Sequence, residues 1–220
     1  MKATLTPALL ASSLGLFLLS SPPVSGYEAE DGDIIFHRSQ SAQSEAIAEA
    51  THSPFTHVGV IFIENGEAVV YEASGCVRSV PLAKFIACGE NCHFVIKRLK
   101  DSEKLDAKAL KREVKKMTGR CYDPYFDWSD STIYCSELVW KAYQRGCGIE
   151  LGDLRQMRDF DLDSPAVVKL LQCRYGKKAP LEMQVIAPSD IFGSSLLKTV
   201  AAEGGTRGLM SILGKLVGGG

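Results

Sequence analysis

Residues 56–74 read THVGVIFIENGEAVVYEAS, two runs rich in β-branched residues on either side of Asn65-Gly66. Asn-Gly is the preferred pair for a two-residue type I′ turn, because both central positions need positive φ and the turn's twist matches that of the flanking strands. The stretch therefore predicts a β-hairpin, and the turn sets its register. Glu64 faces Glu67, Gly59 faces Glu72 and His57 faces Ser74. Side chains alternate along a strand, so His57 and Glu72 share one face, diagonally displaced. Such neighbours are roughly 7–8 Å apart at the backbone, a gap that long side chains close. A slip of one residue would turn both to the opposite face. A carboxylate held against an imidazole is the pairing that orients a catalytic histidine. The competing readings are a surface acid at Glu72 and Ser74 as the third member.

Working outward, DGDIIFHR (31–38) predicts a strand, and SAQSEAIAEAT (41–51) a helix capped by the serine at its start. VRSVPL and HFVIKRLK predict two more strands, with a short helix or turn around Ala83–Ala87 between them. Residues 101–119 form an amphipathic pattern with Leu105, Ala109, Leu110, Val114 and Met117 inward. The outward face carries Lys104, Lys108, Lys111 and Lys115, which reads as a solvated face before it reads as a membrane-facing one. SPAVVKLLQCRYG (164–176) predicts a helix with Ser164 as N-cap and Pro165 in its first position, and MQVIAP (183–188) a last strand. Helices and strands mix without strict alternation. That order indicates an α+β fold with an antiparallel sheet packed against helices.

The second decisive stretch is TIYCSELVW (132–140). Cys135, Leu138, Val139, Ala142 and Tyr143 recur at helical spacing, so the cysteine sits where a helix begins. A thiol is nucleophilic only as thiolate. The unpaired N–H groups and partial positive charge of a helix N-terminus favour that anion, and the same N–H groups stabilise a tetrahedral oxyanion. The bland reading of Cys135 is a buried core thiol. Of the four histidines His37, His52, His57 and His93, His57 is the one the hairpin pairs with a carboxylate. The loop 120–134 contains Tyr122, Tyr125, Phe126, Trp128 and Tyr134. The Tyr134 hydroxyl is a candidate oxyanion donor, and Tyr125 and Trp128 are candidates for lining an apolar substrate pocket.

Bulk properties narrow the function further. A net charge of −1 gives no footing for nucleic acid binding. Residues 1–26, with one lysine, a short apolar run near 8–19 and small residues before Tyr27, have the layout of a secretory signal peptide. The expected organisation is thus a signal peptide at 1–26, a hydrolase domain at 27–193 and a Gly-rich tail at 194–220. Leu209, Ile212, Leu213 and Leu216 share a helical face in that tail, an opening for peripheral membrane contact. An exported chain, secreted or periplasmic, permits disulfides, but seven cysteines is an odd number and leaves at least one thiol over. Cys88 and Cys92 are close enough to pair, or to begin a metal site with His93. No second close ligand pair is evident, so neither metal nor cofactor is expected.

The ordered set DGDIIF, THVGV, YEASGCV followed by PLAKFI, YDPYFDWSDSTIYCSELVWKAY and YGKKAPLEMQVIAP covers most of residues 31–188. It resembles the YiiX/YebB-like cysteine hydrolases, a branch of the circularly permuted NlpC-type papain-like proteins that also includes the lecithin–retinol acyltransferase relatives. The resemblance implies a circularly permuted papain-like fold in which the histidine precedes the cysteine. It carries the nucleophile onto Cys135, the base onto His57 and the orienting residue onto Glu72. It implies an exported thiol hydrolase or acyltransferase acting on an amide or ester through an acyl-enzyme, with a small-molecule, lipid or peptide substrate. The acyltransferase kin point to lipid-like or N-acyl substrates and the NlpC-type kin to cell-wall peptides. A non-catalytic lipid- or peptide-binding module, and a structural domain with Cys135 in a disulfide, are the competing classes. The other six cysteines and the Gly-rich tail stand outside the family pattern.

Overall fold

The structure, a computed structural model, describes residues 27–204. The expected signal peptide and the apolar face at 209–216 lie outside the described residues. In chain order the elements are β1 (Ile34–Ser39), α1 (Ser44–Thr51), β2 (His57–Glu64), β3 (Glu67–Ser74), β4 (Cys76–Pro81), α2 (Leu82–Ala87) and β5 (Gly89–Leu99). They continue with α3 (Ala107–Met117), α4 (Cys135–Cys147), β6 (Arg155–Gln156), α5 (Pro165–Tyr175), β7 (Gln184–Val185), α6 (Pro188–Phe192) and β8 (Leu197–Glu203).

The hairpin forms as its turn dictates. Asn65 and Gly66 have φ of 53° and 83°, and β2 pairs with β3 from Glu64↔Glu67 through Val60↔Tyr71, the register read from the sequence. Around it a six-stranded sheet assembles in the order β4-β3-β2-β1-β5-β8, every neighbour antiparallel. The strand period of two divides its side chains between two cores. Phe36, Val58, Val60, Tyr71 and Ala73 point to the face that also buries Leu110 and Val114 of α3 and Leu138 and Val139 of α4. Ile35, Ile61, Val70 and Ile96 point to the other face, where α2 supplies Phe85 and Ile86. Burying each such side chain stabilises the fold by roughly 1.5–3 kcal/mol. Every residue of α4 from Cys135 to Tyr143 is buried, and the Tyr143 hydroxyl donates to the Gly32 carbonyl.

Several local expectations shift. The first helix starts at Ser44 without a side-chain cap, and α3 starts at Ala107 because Asp106 accepts from the Ala109 N–H at 2.9 Å. Only Gln184–Val185 of MQVIAP is strand, and it pairs with β6 outside the main sheet. The domain does not end at residue 193: β8 pairs with β5 from Leu99↔Leu197 to Phe94↔Glu203. LKTVAAE carries little apolar alternation, and its partner is the open edge of β5, which sits far away in sequence. All seven cysteines are thiols in the structure.

Candidate active site

Three of the sequence-predicted residues converge. The Nε2 of His57 lies 2.7 Å from Oε2 of Glu72, and Cys135 is near enough to the same imidazole to favour its charged form. With Nε2 engaged by the carboxylate, Nδ1 is the nitrogen left for the thiol. The approach is from opposite sides of the sheet. His57 and Glu72 stand on the α2 face, while α4 packs on the other; they meet because His57 is the first residue of β2, at the strand end.

Each member is fixed by its neighbours. Glu72 also accepts from Nε and Nη2 of Arg78, both at 3.2 Å. Burial works against its charge, but His57 and Arg78 outweigh that and hold the carboxyl below its ordinary range. For His57 burial pulls the imidazolium down, while Cys135 and then Glu72 more than reverse it and raise the group to about 10. His37 sits opposite His57 on β1, the rings stacked at 5.2 Å, and His37 stacks in turn on Phe85 at 4.3 Å. Burial first, then the charge of His57, lowers His37 to about 3. It is a neutral platform under the charged ring.

Cys135, 3 % exposed, opens α4. The residue before it has φ −103° and ψ 170°, the extended conformation of a helix cap, so the first N–H groups of the helix have no acceptor within it. Glu137 turns back to accept the Tyr134 N–H at 3.1 Å. The Ile186 peptide grips both neighbours of the cysteine: its N–H donates to the Tyr134 hydroxyl at 3.1 Å, and its carbonyl accepts from Ser136 Oγ at 2.7 Å. Glu137 is itself tied to Lys141 at 2.6 Å, with burial raising it to about 7 despite that cation.

Two clefts meet here. An apolar one is lined by Cys135, Tyr134, Tyr122, Ile47, Met157 and Leu171 among others. A polar one is lined by His57, Glu72, Ser74, Arg78, Lys84 and Tyr122 among others. Tyr122 borders both. Its hydroxyl accepts from Gln43 Nε2 at 2.7 Å, which leaves its own proton free, and burial followed by the charge of Cys135 keeps the phenol protonated.

Of the other sequence candidates, Tyr134 lines the apolar cleft and its hydroxyl accepts the Ile186 N–H, and Ser74 lines the polar one. Tyr125 and Trp128 line neither. Tyr125 is exposed and packs edge-on against Tyr175; Trp128 packs against Trp140, with the Lys141 ammonium 4.7 Å from its ring. His52 pairs with Asp161 at the surface, and His93 stacks on Phe55. Sequence reasoning saw Tyr122 as one aromatic among several. Its signal was its place in the aromatic loop that leads into Cys135, which becomes specific only once Gln43 is seen to hold its oxygen.

Residues 28–201 match the family model of the permuted papain-like amidase enzymes, YaeF/YiiX, C92 family. The chain is 41% identical over 189 residues to the uncharacterized protein YiiX of Escherichia coli strain K12, an alignment spanning 86% of this chain and 94% of that one. It is similar in structure to the metalloprotein yiiX from Escherichia coli O157:H7, with a TM-score of 0.77, 40% identity, and coverage of 80% of this chain and 99% of that crystallised chain.

Proposed function

The chain belongs to the permuted papain-like amidases of the YaeF/YiiX, C92 family, a family of cysteine hydrolases, and on that footing we propose that it cleaves N-acyl or other lipid-like amides through a Cys135 acyl-enzyme. His57 holds the proton as imidazolium, and Cys135 Sγ attacks the carbonyl carbon as thiolate. The oxyanion is received by the free N–H groups at the start of α4 and by the Tyr122 phenol. As the tetrahedral intermediate collapses, His57 protonates the departing amine. Water, or another nucleophile, then resolves the thioester with His57 as base. Glu72 keeps the imidazole aimed throughout.

One observation carries the substrate class. The thiol opens onto an apolar cleft and the imidazole onto a polar one, with Tyr122 at their junction. A substrate with an acyl chain on the carbonyl side and a polar group on the leaving side matches that division. The crystallised E. coli relative is described as a metalloprotein. In this chain no three His, Cys, Asp or Glu side chains among the described residues are grouped to hold a metal ion, and the steps above use only the chain's own groups.

We place the reaction outside the cytoplasm, on the layout of residues 1–26, and assign the tail at 205–220 a peripheral role at a membrane surface. No helix of the described residues is long and apolar enough to cross a membrane. Purified mature protein whose N-terminus is not at or near Tyr27 would remove the first assignment.

The test is a panel of N-acyl amino acids of increasing chain length, phospholipids and cell-wall peptides, with wild type beside Cys135→Ala. Turnover of N-acyl compounds that rises with chain length and vanishes in Cys135→Ala is expected. Wild-type rates from Cys135→Ala would end the mechanism, and turnover confined to wall peptides would end the substrate assignment.

A further inference from the structure

Cys76 opens β4, and Cys121 lies just past α3, on the segment that leads into Tyr122. The two face each other in an isolated antiparallel bridge. Its hydrogen bonds belong to the flanking residues: Tyr122 N donates to Gly75 O at 2.7 Å and Val77 N to Arg120 O at 2.8 Å. Cys76 and Cys121 are therefore a non-hydrogen-bonded pair, the position at which opposed Cα atoms come within about 4.5 Å. That separation falls inside the roughly 4.4–6.8 Å that a disulfide spans. Their sulfurs are already 3.7 Å apart, the Cys76 thiol donating to Cys121, and both residues are exposed to solvent-borne oxidants.

We propose that Cys76 and Cys121 are a redox-modifiable dithiol whose disulfide clasps the Tyr122 segment to the rim of the active-site cleft. Ser74 and Gly75, beside one cysteine, line the polar cleft, and Tyr122, beside the other, borders both clefts. The bond joins these walls across 45 positions of chain. The oxidant is a low-molecular-weight disulfide such as oxidised glutathione. One protein thiolate attacks it, forming a mixed disulfide and releasing one glutathione thiol. The second protein thiolate then attacks the protein sulfur of that mixed disulfide and expels the other glutathione. Two protein thiols are oxidised, one glutathione disulfide is reduced, and the two thiol protons pass to the two glutathione thiolates expelled.

The experiment uses the full chain carrying Cys135→Ala, so that the nucleophile takes no part in exchange. The protein is incubated with oxidised glutathione, remaining thiols are capped with N-ethylmaleimide, and the unreduced digest is mapped by mass spectrometry. A peptide pair linking Cys76 to Cys121 is expected, with a thermal midpoint about 5–10 °C above that of the reduced protein. In the same background Cys76→Ser loses both the link and the rise, and Cys121 then carries a stable glutathione adduct. Separate glutathione or maleimide adducts on Cys76 and Cys121, with no linked pair, would overturn the proposal. So would a linked pair with no change in the thermal midpoint, since the segment would then not be clasped.

Discussion

Replacing Glu72 with Gln removes a charge from the site while leaving an oxygen where His57 needs an acceptor. In the native protein the two side chains are 2.7 Å apart and nearly sealed from water, His57 at 9% and Glu72 at 7% exposure. The gap between a charge-assisted hydrogen bond, about 1.5–3 kcal/mol, and a neutral one, about 0.5–1.5 kcal/mol, is on the order of 1–2 kcal/mol. At about 1.36 kcal/mol per unit, that is a fall of about one pKa unit. The His57 midpoint should move from about 10 toward about 9. The sign for stability follows from linkage. His57 is raised above its unfolded value of 6.5, so its contribution is complete below that pH and is lost as pH climbs through the folded value. Glu72→Gln should therefore cost about 1–2 kcal/mol in urea unfolding at pH 6, and the loss should shrink in alkali. Arg78 also loses its partner, but its side chain is 54% exposed, and exposed pairs contribute little. Imidazole proton resonances followed by NMR across the alkaline range give the midpoint directly. A native His57 that titrates near its ordinary value, or a midpoint indifferent to Glu72→Gln, would refute the assignment of Glu72 as the orienting charge.

Two further substitutions probe the supports of the site. Glu137→Ala strips the cap from Tyr134 N–H and leaves the buried Lys141 without its nearest anion; at pH 8, above the Glu137 value of about 7, urea unfolding should register a loss of about 3–5 kcal/mol. Leu171→Gln places an amide in the wall of the apolar cleft. It should raise KM for long-chain N-acyl substrates by roughly tenfold or more while sparing short-chain ones, as the loss of one large apolar contact requires. Equal effects at all chain lengths would show that the acyl chain does not enter there.

The part of the site that the sequence discloses is the part governed by short-range rules. Asn65-Gly66 sets the register of β2 and β3 within a few residues of itself, and that register alone puts His57 and Glu72 on one face. Cys135 is legible because the apolar spacing after it marks a helix start. Tyr125 and Trp128 look no different in sequence from Tyr122, yet they are drawn off by partners far along the chain, Tyr175 and Trp140. The walls of the apolar cleft come from α1 and α5, whose meeting leaves no trace in either segment alone. The same blindness affects β8: an edge strand with a mixed burial pattern has its pairing decided by β5.

What the sequence does not disclose at all is that the three candidate groups straddle the sheet. His57 and Glu72 belong to the α2 face and Cys135 to the α4 face, so the sheet end itself separates the apolar cleft from the polar one. On the proposed mechanism a reacting carbonyl sits at that end, with its acyl side and its leaving group on different walls built from different elements. That proposal assigns acyl preference to α1 and α5, and leaving-group preference to β4 and α2, where Arg78 and Lys84 line the polar cleft. The two preferences should change independently: Leu171→Gln combined with Lys84→Ala should show additive effects on kcat/KM, within about 0.5 kcal/mol, because Leu171 lines only the apolar cleft and Lys84 only the polar one. A strong coupling between the two substitutions would mean that one continuous pocket holds the whole substrate, and the division by the sheet would be irrelevant to recognition.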